Sequence, residues 1–186
     1  MDKEKEQISE MDATKLWLSS LLMRSDLLDE LLDKLNKSID TYKIILEDKK
    51  IASFRFLVVL AVLDCYKLQV LFPTRSVVIF SNLENLLKNK FNFDDDAQEA
   101  VLQVFDIYFD MLRFSQLQFK QNPQYSPLEE LSEGLLKDWV GKNIKKYYVP
   151  NTRSASPLVC SFLSLYLEYY SKFWDLFSKR YEFIKD

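Results

Sequence analysis

The side chains able to do chemistry are few in this chain, and the missing ones narrow the options most. There is no histidine, which removes the usual general base, the commonest zinc ligand and every Ser/His or Cys/His nucleophile pair. The two cysteines, Cys65 and Cys160, each sit among apolar residues and form no CxxC. Without histidine they cannot close a structural zinc site, and they are read as two buried thiols in a reducing compartment. The only glycines are Gly134 and Gly141, so neither a GxGxxG turn nor a P-loop can be written. No cofactor, no metal and no small-molecule substrate is expected.

Carboxylates are what remains for acid–base work. Asp94, Asp95 and Asp96 form one cluster; Asp106 and Asp110, one helical turn apart, form another. The triplet fits the start of a helix, where carboxylates accept from free backbone amides and complement the dipole. It lacks the alternating oxygen ligands and central glycine of a calcium loop. Asp106 and Asp110 read as a solvated helix face. No catalytic residue is assigned, and the chain is read as a non-enzyme.

Two constellations could carry binding instead. From Lys137 to Arg153 the segment holds Lys137, Lys142, Lys145, Lys146 and Arg153 against the single acid Asp138, with Tyr147 and Tyr148 following the lysines. Lys142, Lys145, Lys146, Tyr147, Tyr148 and Arg153 form a candidate patch for phosphates and stacked bases. Lysines at a helix C-terminus also simply complement its dipole, and a net charge of −3 with a pI near 5.2 gives no global field for nucleic acid. Nucleic-acid binding is therefore the second reading.

The first rests on the C-terminal helix, which carries two apolar seams. One runs Val159, Leu163, Tyr166, Tyr170, Phe173, Phe177 and Ile184; the other runs Leu158, Phe162, Leu165, Tyr169 and Leu176. A peripheral helix needs one stripe, so the second either enters the core or meets a partner. Leu158, Phe162, Leu165, Tyr169 and Leu176 are the candidate partner interface.

These side chains need helices to hold them. Hydrophobic residues make up 48% of the chain and aromatics 15%, enough to offset the entropy of ordering it. Two glycines and five prolines cannot supply the turns of a multi-stranded sheet. Leu28, Leu32, Leu35, Ile39, Tyr42 and Leu46 keep a four-three spacing, and the first fifty residues are read as one long helix with a kink, a fresh start at Ser25 and Asp26 being the alternative. A second helix runs from Ile51 to Phe72 and stops before Pro73. Its apolar run Phe56 to Leu63 is bounded by Arg55, Asp64 and Lys67, which makes it a core helix and not a membrane span. Helix three starts at Thr74; helix four spans roughly Ala97 to Phe119. Ser126, Pro127 and Glu129 form a capping box for helix five, and Ser156 with Pro157 starts helix six, read to the C-terminus.

The expectation is an all-α, single-domain bundle of five or six helices with short connections. Residues 1–11 form a charged flexible N-terminus and residues 12–186 the bundle. The opening MDKEKEQISEMD has no apolar stretch and reads as neither signal nor transit peptide. Function is expected to be protein–protein interaction, as an adaptor or subunit of a larger complex. A protein partner or self-association is expected, with no membrane, and an intracellular location in cytoplasm or nucleus.

Overall fold

The computed structural model describes residues 4–38, 49–92, 103–110, 113, 121, 128, 131, 132, 134, 135 and 156–184. Helix accounts for 82% of these residues, so the chain is all-α, with one short two-strand pairing. The elements are β1 (Glu6–Ile8), α1 (Glu10–Leu22), α2 (Asp26–Ser38), α3 (Lys49–Leu71) and α4 (Ser76–Phe91). After residue 155 come α5 (Ser156–Leu165), a π-helical turn (Tyr166–Tyr170), α6 (Phe173–Arg180) and β2 (Tyr181–Phe183). Gln103–Asp110 are also helical, with Phe105 and Tyr108 buried and Asp106 and Asp110 exposed.

The centre of the fold is α3. Every side chain from Phe56 to Leu63 is buried, as a helix apolar on all sides requires, and α1, α4 and α6 pack against it. Pro73 follows directly after the helix, whose last backbone bond runs from Phe72 N to Leu68 O at 2.8 Å. α4 begins two residues later than Thr74 and ends at Asn92, whose φ of 48° and ψ of 58° form a left-handed cap. Asparagine tolerates that conformation where most residues would not. Among the described residues no helix is long and apolar enough to cross a membrane.

Four expectations are corrected. Residues 1–11 are not a free tail over their described part: Glu6–Ile8 is a strand, and Ser9 caps α1 by accepting from Asp12 N at 3.1 Å. Asp12 is held below the usual carboxylate range by hydrogen bonds from Lys15 and Ser9 and by the Lys15 charge. The first long helix is two helices, since Met23, Arg24 and Ser25 form turns between α1 and α2. Helix six does not reach the C-terminus. It breaks at Ser171 and ends at Arg180, because the chain turns extended at Tyr181 to pair with the N-terminus. Cys65 is buried as expected, but Cys160 is only half-buried. The expected cap at Asp94, Asp95 and Asp96, the capping box at Ser126 to Glu129, and the patch Lys142, Lys145, Lys146, Tyr147, Tyr148 and Arg153 lie outside the described residues.

The parallel β1–β2 pair joins Glu6 to Tyr181, Gln7 to Glu182 and Ile8 to Phe183. Phe183 then packs edge-on against Phe72 at 5.0 Å and beside Phe177 at 5.5 Å, which gives the pair a core anchor that two isolated strands lack. The amide of Ile184 donates to Ile8 O at 3.0 Å. In native-state hydrogen exchange that amide is expected to be protected despite its position near the chain end. Deleting residues 1–8 should restore fast exchange there while leaving the amides of α3 protected.

Candidate functional site: a buried carboxylate beside an apolar groove

Asp64 lies on α3 directly after the apolar run, with its side chain 1% exposed. Four side chains from three other segments converge on it. Trp17 of α1 donates its Nε1 hydrogen to Oδ2 at 2.9 Å. Arg24, in the turn after α1, donates through Nη1 to the same oxygen at 3.4 Å. Tyr166 donates its hydroxyl to Oδ1 at 3.2 Å, and Ser171 donates to Oδ1 at 2.6 Å. Arg24 also donates to the Tyr166 hydroxyl at 2.6 Å and to Ser20 Oγ at 2.9 Å, and its guanidinium lies 5.5 Å from the Tyr166 ring centre.

The local backbone is shaped to deliver these donors. Tyr166–Tyr170 widen into a π-helical turn closed by Ser171 N to Tyr166 O at 2.9 Å. Ser171 itself has φ −79° and ψ 56°, and Lys172 N donates to Tyr170 O at 2.8 Å, the geometry of an inverse γ-turn. The wide turn and the γ-turn together stop the helix, and the Ser171 hydroxyl there bonds Asp64. Nothing in the local sequence forces that stop, since neither glycine nor proline is present.

Burial dominates the titration of the cluster. It raises the Asp64 pKa above the ordinary carboxylate value, while the Ser171 and Trp17 hydrogen bonds, the Arg24 charge and the Tyr166 hydroxyl oppose the rise. Burial, with the Asp64 charge, also pushes Tyr166 well above the ordinary phenol value and the neighbouring Cys65 thiol up to about 12. Both stay protonated at neutral pH. Such a thiol is not a nucleophile, and the carboxylate, saturated with donors, has no access to a substrate. The cluster is a structural lock.

Arg24 connects the lock to a groove of about 500 Å³ between α1 and the C-terminal segment. Leu16 and Ser20 line it from α1, and Tyr169, Tyr170, Phe173 and Leu176 line it from the other side. Lys172 and Arg180 stand at it too, and among the described residues that line it none is acidic.

The two seams read from the sequence part company here. Val159, Leu163, Tyr166 and Phe177 of the first are buried, although Tyr170 and Ile184 are exposed. Of the second, Leu158 is 38%, Leu165 48%, Tyr169 59% and Leu176 62% exposed. Phe162 departs from the others: half-buried, it lies 6.3 Å from Phe56 and under Lys34 Nζ at 5.9 Å. The Asp64 cluster was not foreseen as a site. Its one signal was an acid inside a helix apolar all round, which has to be buried and therefore has to be partnered.

No protein-family model, curated protein or solved structure matches the chain.

The lock makes two measurable demands. Asp64→Leu removes every acceptor and strands Trp17 Nε1 and the Arg24 charge, an expected loss of about 3–5 kcal/mol. Asp64→Asn keeps one acceptor oxygen, and the Ser171 and Tyr166 hydroxyls can turn to accept from its amide, so the loss should be smaller. Because the native pKa lies above the unfolded value of about 3.9, the native state keeps the proton where the unfolded chain has already lost it. That contribution is complete below the unfolded pKa and is lost as pH rises through the native one. Urea midpoints of wild type should therefore fall, relative to Asp64→Asn, as pH rises across that window; a constant difference would contradict the raised pKa.

Proposed function

We propose that this chain is a non-catalytic docking subunit or adaptor. It associates with another protein chain through the outward stripe Leu158, Leu165, Tyr169 and Leu176 and the groove beside it. The single observation that carries this reading is the exposure of that stripe on a segment whose Val159, Leu163, Tyr166 and Phe177 already supply the core. Scattered exposed apolar residues need no explanation, but a row of them running into a groove marks an interaction surface. Tyr169 and Leu176 belong to both the row and the groove, so the surface is continuous.

The chemistry near this surface supports binding over turnover. The buried carboxylate is consumed by four donors. Cys65 and Cys160, neither in a disulfide among the described residues, fit a reducing compartment, cytoplasm or nucleus.

Sedimentation of the chain from its native source is expected to show an assembly heavier than one copy. Leu165→Ser with Leu176→Ser should release the monomer while shifting stability by no more than about 0.5 kcal/mol, since both sites are solvent-facing. Val77→Ser, at a still more exposed position on α4, should leave the assembly intact. Phe162→Ser should instead lower the melting temperature, because it opens a gap against Phe56. A monomeric wild type, or an assembly indifferent to the Leu165 and Leu176 changes, would overturn the reading.

A further inference from the structure

We infer that the groove between α1 and α6 receives an acidic amphipathic helix of a partner chain, its apolar side on Leu16, Tyr170 and Leu176 and its carboxylates on Lys172 and Arg180. The inference rests on the docking reading above and names the chemistry of the partner.

Three observations carry it. The first is shape: the groove is a cleft between two helical segments with apolar side chains on both walls. A helix laid in such a cleft places residues at i, i+3, i+4 and i+7 along it. Beyond the cleft, Leu165 and Leu158 continue the apolar row along α5, which suits a helix of several turns better than a compact ligand.

The second is charge. The groove presents Arg24, Lys172 and Arg180, and none of its described lining residues is acidic, although the whole chain carries a net charge of −3. Arg24 is held by Asp64 and Arg180 by Glu6, and Glu168 bonds the groove-lining Tyr169, which leaves Lys172 as the cation open to a partner. Asp64 is buried behind Arg24, and Glu6 meets Arg180 at 3.2 Å with both side chains more than half exposed, a pair that solvent screens. Lys172 is exposed and has no ion pair among the described residues. Its ammonium can therefore take a carboxylate without first breaking another pair. Cations edging an apolar floor choose the partner by charge and fix its register.

The third observation concerns where such a helix comes from. This chain holds an acidic amphipathic helix of its own, α2, with Asp26, Asp29, Glu30 and Asp33. Its Leu27, Leu28 and Leu31 are buried in the core, so a second folded copy cannot offer the apolar side of that helix to the groove. Among the described residues a second folded copy therefore offers no acidic amphipathic helix with a free apolar side, and the proposed occupant is a helix of a different chain.

The test uses the full chain and a displayed library of helical peptides of roughly 18 residues, about five turns, with an apolar stripe fixed and the flanking positions random. Selected peptides are expected to be enriched in Asp and Glu over Lys and Arg at the flanking positions, and their binding should weaken with added salt. Lys172→Glu together with Arg180→Glu should weaken binding by about tenfold or more. Lys90→Glu, which changes a charge on α4, should leave it unchanged. Replacing the flanking Glu residues of a selected peptide by Lys should abolish binding to wild type and restore it on the Lys172→Glu, Arg180→Glu chain. That exchange identifies the contact even if the double variant is less stable than wild type.

Neutral or basic enriched peptides, binding indifferent to Lys172 and Arg180, or a library that yields no binder would overturn the inference. Self-association of wild type that is lost on Lys172→Glu would place a second copy in the groove and overturn it as well. If the native assembly still depends on Leu165 and Leu176 while the selected peptides are not acidic, the partner chemistry fails and the docking reading stands. If the assembly ignores Leu165 and Leu176, the docking reading itself fails.

Discussion

A carboxylate taken out of water must recover its hydrogen bonds from the protein, and the donors that Asp64 recruits bring α1, the turn after it and the C-terminal segment together on α3. Burying such a group costs several kcal/mol, and its surroundings repay this only when every lone pair is used. Asp64 draws on Trp17 from α1, Arg24 from the turn after it, Tyr166 from the π-helical turn and Ser171 from the γ-turn. The aromatic packing follows from the same convergence. Trp17, once aimed at Asp64, meets Trp174 edge-on at 5.1 Å, and Trp174 in turn contacts Phe72 at 6.1 Å and Phe177 at 5.2 Å. Lys67 and Asp175, paired at 3.2 Å one turn further along α3, tie α6 to the same helix.

Much of this was written in local patterns and could be read from them. The apolar run of α3, its stop at Pro73 and the serine-proline start of α5 all depend on neighbours a few residues away. So does the division of the C-terminal segment into two seams, one of which is internal. What could not be read depends on residues far apart. Ser171 breaks a helix whose local sequence would continue it, because a carboxylate 107 residues earlier accepts its hydroxyl. Arg24 looks like a solvated residue in a turn until Asp64 and Tyr166 are placed beside it. The strand Glu6–Ile8 is three residues long and charged at its first position, too short for alternation to announce it. In each case the signal was the partner, and the partner was not local.

The C-terminal segment therefore serves two purposes with one stretch of chain. Its inner seam supplies Tyr166, Trp174 and Phe177 to the core, and its outer row stays in solvent. Arg24 stands where the two meet, bonded inward to Asp64 and lining the groove outward.

The pairing of β1 with β2 carries a temporal consequence. Gln7 and Glu182, whose side chains meet across the pair, are separated by 175 residues, so β1 is synthesised long before its partner. At synthesis rates of roughly 5–20 residues per second, about 9–35 seconds pass between them. Tyr166 and Ser171 follow Asp64 by 102 and 107 residues, and until they are made α3 has only Trp17 and Arg24 for its single acid. The segment 166–183 closes both the strand pair and the carboxylate cluster, by contacts of long range and slow closure.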